Sequence, residues 1–146
     1  MVNGPEIPHR FENDLRRFAS AARPRPLAID PWVASSLLQK AIRRSDVDLA
    51  ERAAFTLRGY RGQGVWRRLI ADAFEDVGVG SVDALIQTTT ACTSPAWRLR
   101  AGRDELSLRF VVRLLAEAPK DRSPDYLICA AHDHLSTFVF IDVQLQ

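Results

Sequence analysis

The sequence is short of lysine, cysteine and long apolar runs, and each shortage excludes something. Only Lys40 and Lys120 stand among 20 basic residues, so arginine carries the positive charge. Arginine's planar fork suits bidentate contact with carboxylate or phosphate. Acids number 18, however, and a formal net charge of +2 does not by itself imply nucleic-acid binding. The two cysteines, Cys92 and Cys129, stand alone. They form no zinc or dithiol spacing and read as reduced thiols. No apolar run approaches the ~20 residues of a membrane span. The N-terminus lacks a signal peptide's apolar core, so the expected location is cytoplasmic, with no membrane partner. The 146 residues, 47% hydrophobic and 26% charged, fit one soluble globular domain.

What is present is helical periodicity. Trp66, Leu69, Ile70, Ala73, Phe74 and Val77 recur at i, i+3, i+4, i+7, i+8 and i+11. That spacing predicts a helix with one buried stripe. Gly78 stops it as a left-handed cap, and Ser81 caps the next helix. On the other face Arg67 and Arg68 occupy the first turn while Glu75 and Asp76 occupy the last. The helix macrodipole favours the reverse order, so these charges are expected to have partners elsewhere.

The rest of the chain also reads as helices with short breaks. Residues 9–22 predict a helix with Phe11, Leu15 and Phe18 on one side, followed by the linker Arg23-Pro-Arg-Pro26. Asp30-Pro31 starts a helix through Arg44 that buries Val33, Leu37, Leu38, Ala41 and Ile42. Ser45-Asp-Val-Asp48 opens the next with a capping-box-like pattern, and its stripe is Leu49, Ala50, Ala53, Ala54 and Leu57. Across Gly59, Gly62 and Gly64 this helix is expected to pair antiparallel with the Trp66 helix. Residues 82–90 predict a weaker, threonine-rich helix. Ser94-Pro95 breaks it, and 97–102 reads as a basic loop. Residues 104–118 predict the central helix, apolar on more than one face, ended by Pro119. Ser123-Pro-Asp125 starts another to about residue 134. Residues 137–145 are β-branched and aromatic, predicting a short strand or an adhesive tail. The expected fold is all-α, a single-domain helical bundle of about six to seven helices. An N-terminal extension occupies 1–30, the helical domain 31–134 and an apolar tail 135–146.

One resemblance spans about residues 31–127. Leu37-Leu-Gln-Lys-Ala-Ile-Arg-Arg-Ser-Asp-Val-Asp-Leu49, then Trp66-Arg-Arg-Leu-Ile70, then Phe74-Glu-Asp-Val-Gly-Val79 resembles the C-terminal helical region of a bacterial AAA+ ATPase family. The family is the replication-associated recombination ATPases of the RarA/MgsA, Werner-helicase-interacting-protein type, relatives of clamp loaders. Lys40, Arg43, Ser45, Asp46, Asp48, Arg67, Arg68, Leu69, Glu75, Asp76 and Gly78 occupy matching positions. Leu114-Leu-Ala-Glu-Ala-Pro-Lys120 is similar to the family's Leu-Ala-Cys-Ala-Pro-Lys. The resemblance implies a clamp-loader-collar-like scaffold that builds an oligomer and helps place a motor at DNA. Val47 stands where the family has proline, and Arg44 where it has glycine. Gly62-Gln-Gly64 and Gly78-Val-Gly80 lack the lysine and spacing of a phosphate-binding loop. No ATP hydrolysis, cofactor or metal is therefore expected.

Candidate chemistry is sparse. Glu75 and Asp76 are adjacent and point about 100° apart on a helix, so they do not face one another as an acid/base pair. His132-Asp133-His134 is the one histidine cluster, and in a helix its histidines diverge. No nucleophile motif appears. Two readings of the arginines stay open. Arg98, Arg100 and Arg103 around Trp97 form a candidate contact for single-stranded DNA, phosphate on arginine and base on indole. Alternatively Ser45, Asp46, Asp48, Arg67, Arg68, Glu75 and Asp76 form a structural network of caps and ion pairs, and Trp97 packs in the core. The favoured function is a non-catalytic interaction and oligomerisation module of DNA replication or repair, a homo-oligomer rather than an enzyme. The alternative is a DNA-binding or mobile-element accessory protein that binds or interferes with a host replication ATPase.

Overall fold

A computed structural model describes residues 13–16, 22–99, 103–127 and 129–132, with Trp97 by its backbone alone. Among the described residues the fold is all-α, with no strand. None of the described helices is long and apolar enough to cross a membrane. The expected strand at 137–145 lies outside the described residues, as do most of the expected helix at 9–22 and the end of the last helix.

Helix α1 spans Pro31–Arg43. The Asp30 carboxylate accepts from the amides of Trp32 at 2.8 Å and Val33 at 3.0 Å, and proline fills the first position, whose amide would lack a partner. Its inner face is Ala34, Leu38, Ala41 and Ile42. Centring the stripe there turns Val33 outward, contrary to the sequence expectation, and it is 48% exposed. The amide of Asp46 donates to the Ala41 carbonyl and that of Ser45 to the Ile42 carbonyl. This double closure ends α1 with Ser45 in the left-handed region at φ 59°, a conformation usually reserved for glycine. Asp46, rather than Ser45, then caps α2, Val47–Arg61, by accepting from the Leu49 amide at 3.1 Å.

Alanines 50, 53 and 54 are fully buried and let α2 approach closely. Its chief neighbours are α1 and the central helix α6, with only light contact to α3. The closely packed pair is thus α1 with α2, rather than the expected α2 with the Trp66 helix. A 3₁₀ turn, Gly62–Gly64, leads into α3, Val65–Asp72. A five-residue π-helical turn, Ala73–Val77, and a 3₁₀ turn, Gly78–Ser81, follow. Ser81 caps α4, Val82–Thr93. Helix α5 is short, Pro95–Leu99, and α6 spans Arg103–Glu117.

The π turn corrects the stripe predicted for residues 66–77. A π turn takes more residues per turn than an α-helix and shifts the face that points inward. Phe74, expected in the core, is 51% exposed, whereas Asp72 and Asp76 are fully buried. Helix α6 touches each of α1 to α5 and buries Leu108, Val111, Val112 and Leu115 at their centre. After it the chain doubles back over the two turns. The Asp121 amide donates to the Val77 carbonyl at 3.1 Å. A Cβ at Gly80 would lie 2.7 Å from the Pro119 carbonyl oxygen, and one at Gly78 equally close to that of Asp121. Only glycine permits that approach.

Candidate functional site

Among the described residues, two clusters of buried charge lie under the π turn and around Arg98, apart from Glu51, which pairs with Arg109 at 3.0 Å. The first cluster sits under the turn. Asp72 and Asp76 are four residues apart and on one face, with both side chains fully buried. Arg43 of α1 donates through Nε to Oδ1 of Asp76 at 2.5 Å, and Arg122 approaches the same oxygen at 3.6 Å. Arg122 also donates to Asp125. Gln39 donates to Glu75 at 3.4 Å. Arg68 reaches Asp72 at 2.7 Å, an ion pair not aligned as a hydrogen bond. Both oxygens of Asp72 and Oδ2 of Asp76 accept no hydrogen bond among the described residues. Burial pushes the Asp72 carboxyl up to about 7; Arg68 opposes this and the neighbouring Asp76 and Glu75 add to it. Lys120 closes the cluster by donating to the carbonyls of Ala116 and Ala118, and burial lowers its ammonium against the pull of Asp76.

The second cluster centres on Arg98. This side chain is 1% exposed and stacks over the Trp66 ring at 4.1 Å. It donates to Asp104 at 3.1 Å, to Gln63 at 2.8 Å and to the Ala91 carbonyl. Asp104 also accepts from Arg58 and Gln63, each at 3.1 Å. Burial alone would raise the Asp104 carboxyl, but the bonds from Arg98, Arg58 and Gln63 outweigh it and hold it below the usual range. Arg58 and Arg23 both reach Glu105 at 2.8 Å, extending the network to the surface. A cleft of about 260 Å³ opens beside Arg98, lined by Trp66, Arg67, Ile70, Cys92 and Pro95. Cys92 offers no nucleophile there, because burial pushes its thiol up to about 12 despite Arg98. Its sulfur instead faces the Trp66 carbonyl at 3.5 Å.

The expected DNA-contact group does not form one exposed surface. Arg98 lies on α5, not in a loop, and is sealed by Asp104, Gln63 and Trp66. Arg103 opens α6, half-buried and engaged with a neighbour. Arg100 and the Trp97 side chain lie outside the described residues. In the cap and ion-pair group, Ser45 sits in the left-handed turn, Asp46 caps α2, and Asp48 lies 3.9 Å from Arg52. Arg67 is exposed on the rim of the cleft, while Arg68 pairs within its own helix. Asp76 joins Arg43 rather than Arg67 or Arg68. Asp72, Arg43 and Arg122 are residues of this cluster that periodicity misses. The available signal is Asp72 and Asp76 at i, i+4 along an otherwise apolar stripe. Of the histidine cluster only His132 is described, and it is exposed. Among the described residues no three metal-ligating groups converge. No protein-family model matches the chain, and no curated protein matches it.

Proposed function

We propose that the chain is a non-catalytic interaction and oligomerisation module, a collar-like helical bundle akin to the C-terminal region of the RarA/MgsA-type replication-associated ATPases. In this reading it acts in the cytoplasm at replication or repair assemblies. One observation carries the reading. Several of the residues on which the resemblance rests serve the framework. Arg43 ties α1 to Asp76 across 33 residues of sequence. Ser45 and Asp46 turn α1 into α2. Gly78 packs on Asp121, and Lys120 caps α6. A shared scaffold retains such positions even without a shared reaction.

Light scattering of the purified protein tests the proposal together with an ATP-turnover assay. The expected result is a defined oligomer without turnover. A monomer throughout the micromolar range, or nucleotide hydrolysis, refutes it. The second reading is a DNA-binding accessory protein that engages a host replication ATPase, and a different surface favours it. Trp32 is 77% exposed, with the Arg61 guanidinium 5.0 Å from its ring centroid. An open indole beside a cation is the pairing that holds single-stranded bases. Binding of single-stranded DNA that weakens with salt and is lost in Trp32→Ala supports this second reading.

A further inference from the structure

The framework leaves the cleft beside Arg98 open, and its lining is selective. The cleft has a volume of about 260 Å³ and its walls come from α3, α4 and α5. Pockets for drug-sized molecules start at ~300 Å³, so this one suits a single ring or a short branched chain. Trp66, Ile70, Cys92 and Pro95 make the walls largely apolar. Cys92 belongs with them, because a thiol pushed up to about 12 stays neutral and packs as a small apolar group. Among the described residues no carboxylate lines the cleft. Two arginines do, and only one is available. Arg98 is 1% exposed, and its three nitrogens are committed to Asp104, Gln63 and the Ala91 carbonyl. Arg67 stands exposed at the rim, and no acid or carbonyl engages it among the described residues. It also lies in the first turn of α3, where the macrodipole adds positive potential. A cation at the mouth of an apolar, acid-free cleft is complementary to an anion carried on an apolar body.

We propose that this cleft binds a small monocarboxylic acid, its carboxylate on Arg67 and its apolar body against Ile70, Cys92 and Pro95. The planar fork of the guanidinium matches the two carboxylate oxygens. Because three helices supply the walls, an occupant holds α5 against α3 and α4 and stabilises the folded bundle. A small-molecule site goes beyond the interaction module proposed above, and its test does not depend on the oligomeric state.

Phenylacetate is the probe, titrated into the full chain and followed by ligand-observed NMR. For a ligand of about ten heavy atoms the expected Kd is ~0.3–3 mM. Phenylacetamide, which keeps the ring and lacks the charge, should bind ~5-fold more weakly, and Arg67→Gln should weaken phenylacetate by a similar factor. Arg44→Gln removes an exposed arginine that does not line the cleft and should leave the affinity unchanged. Thiol labelling places the ligand. Phenylacetate at about 10 mM should slow the labelling of Cys92 by ~4-fold or more and leave that of the exposed Cys129 unaltered. No binding below 10 mM, equal affinity for the amide, or an unchanged Kd in Arg67→Gln overturns the proposal. Unslowed labelling of Cys92 overturns it as well, and so does inorganic phosphate that displaces phenylacetate at equal concentration, which would make Arg67 a bare anion contact.

Discussion

Replacing Asp72 with asparagine should remove the main pH dependence of folding near neutrality. Asp72 is fully buried, and its folded carboxyl titrates at about 7 against an ordinary 3.8. Between those values the native state holds a proton that the unfolded chain releases, so stability is greatest at the acid end and falls as pH rises from 4 to 7. At 1.36 kcal/mol per unit, a gap of about three units sets an upper bound of ~4 kcal/mol. The substituted amide would carry no charge to desolvate, but it would leave the half-buried Arg68 without its ion partner. The folded value of about 7 already contains the opposing pull of Arg68, so no separate deduction applies, and Asp72→Asn should approach ~4 kcal/mol more stable than the wild type at pH 8 and ~1–2 kcal/mol at pH 5. Urea unfolding followed by tryptophan fluorescence at pH 5, 6, 7 and 8 reads this directly. The wild-type midpoint should slide downward with pH while the variant's stays nearly level. Parallel curves, or a variant less stable at pH 8, would refute the reasoning and mean that the Arg68 pair outweighs burial.

Other substitutions probe the remaining framework. Ser45→Gly should raise stability by ~0.5–1 kcal/mol in chemical denaturation, because glycine meets φ 59° without a Cβ penalty. Arg98→Met keeps the packing over Trp66 but leaves Asp104 dependent on Arg58 and Gln63, and should cost about 3 kcal/mol in the same assay. Toward a thiol reagent at pH 8, Cys129, which is exposed, should react at once, while Cys92, half-buried and with its thiol pushed up to about 12, should react far more slowly; a time course of labelling with mass detection distinguishes them.

What the sequence disclosed follows from how local each signal is. Asp30 before Pro31 and Ser81 three residues before Ala84 are caps made within one turn, and each forms, whereas the capping-box-like pattern from Ser45 gives way to a cap by Asp46. The central place of α6 was legible in the same way, since a helix apolar on several faces can only be surrounded. The Trp66 helix misled because a 3.6-residue period presumes an α-helix throughout, and the π turn breaks that period at Ala73. Asp76 consequently faces inward where Phe74 was expected, beside Asp72, which is already buried on the inner face of α3, a choice no local propensity favours. Arg98 misled for a related reason. Arginines beside Pro95 read as loop chemistry, but its partners come from three places: Gln63, the Ala91 carbonyl and Asp104. Both misreadings thus concern charges taken into the interior and compensated there by groups distant in the chain. If the interior charges serve the shape of the bundle rather than a reaction, isosteric neutral replacement at Asp72 and Asp76 together should leave the proposed oligomer intact, and loss of such an oligomer with the fold preserved would locate its interface at the π turn.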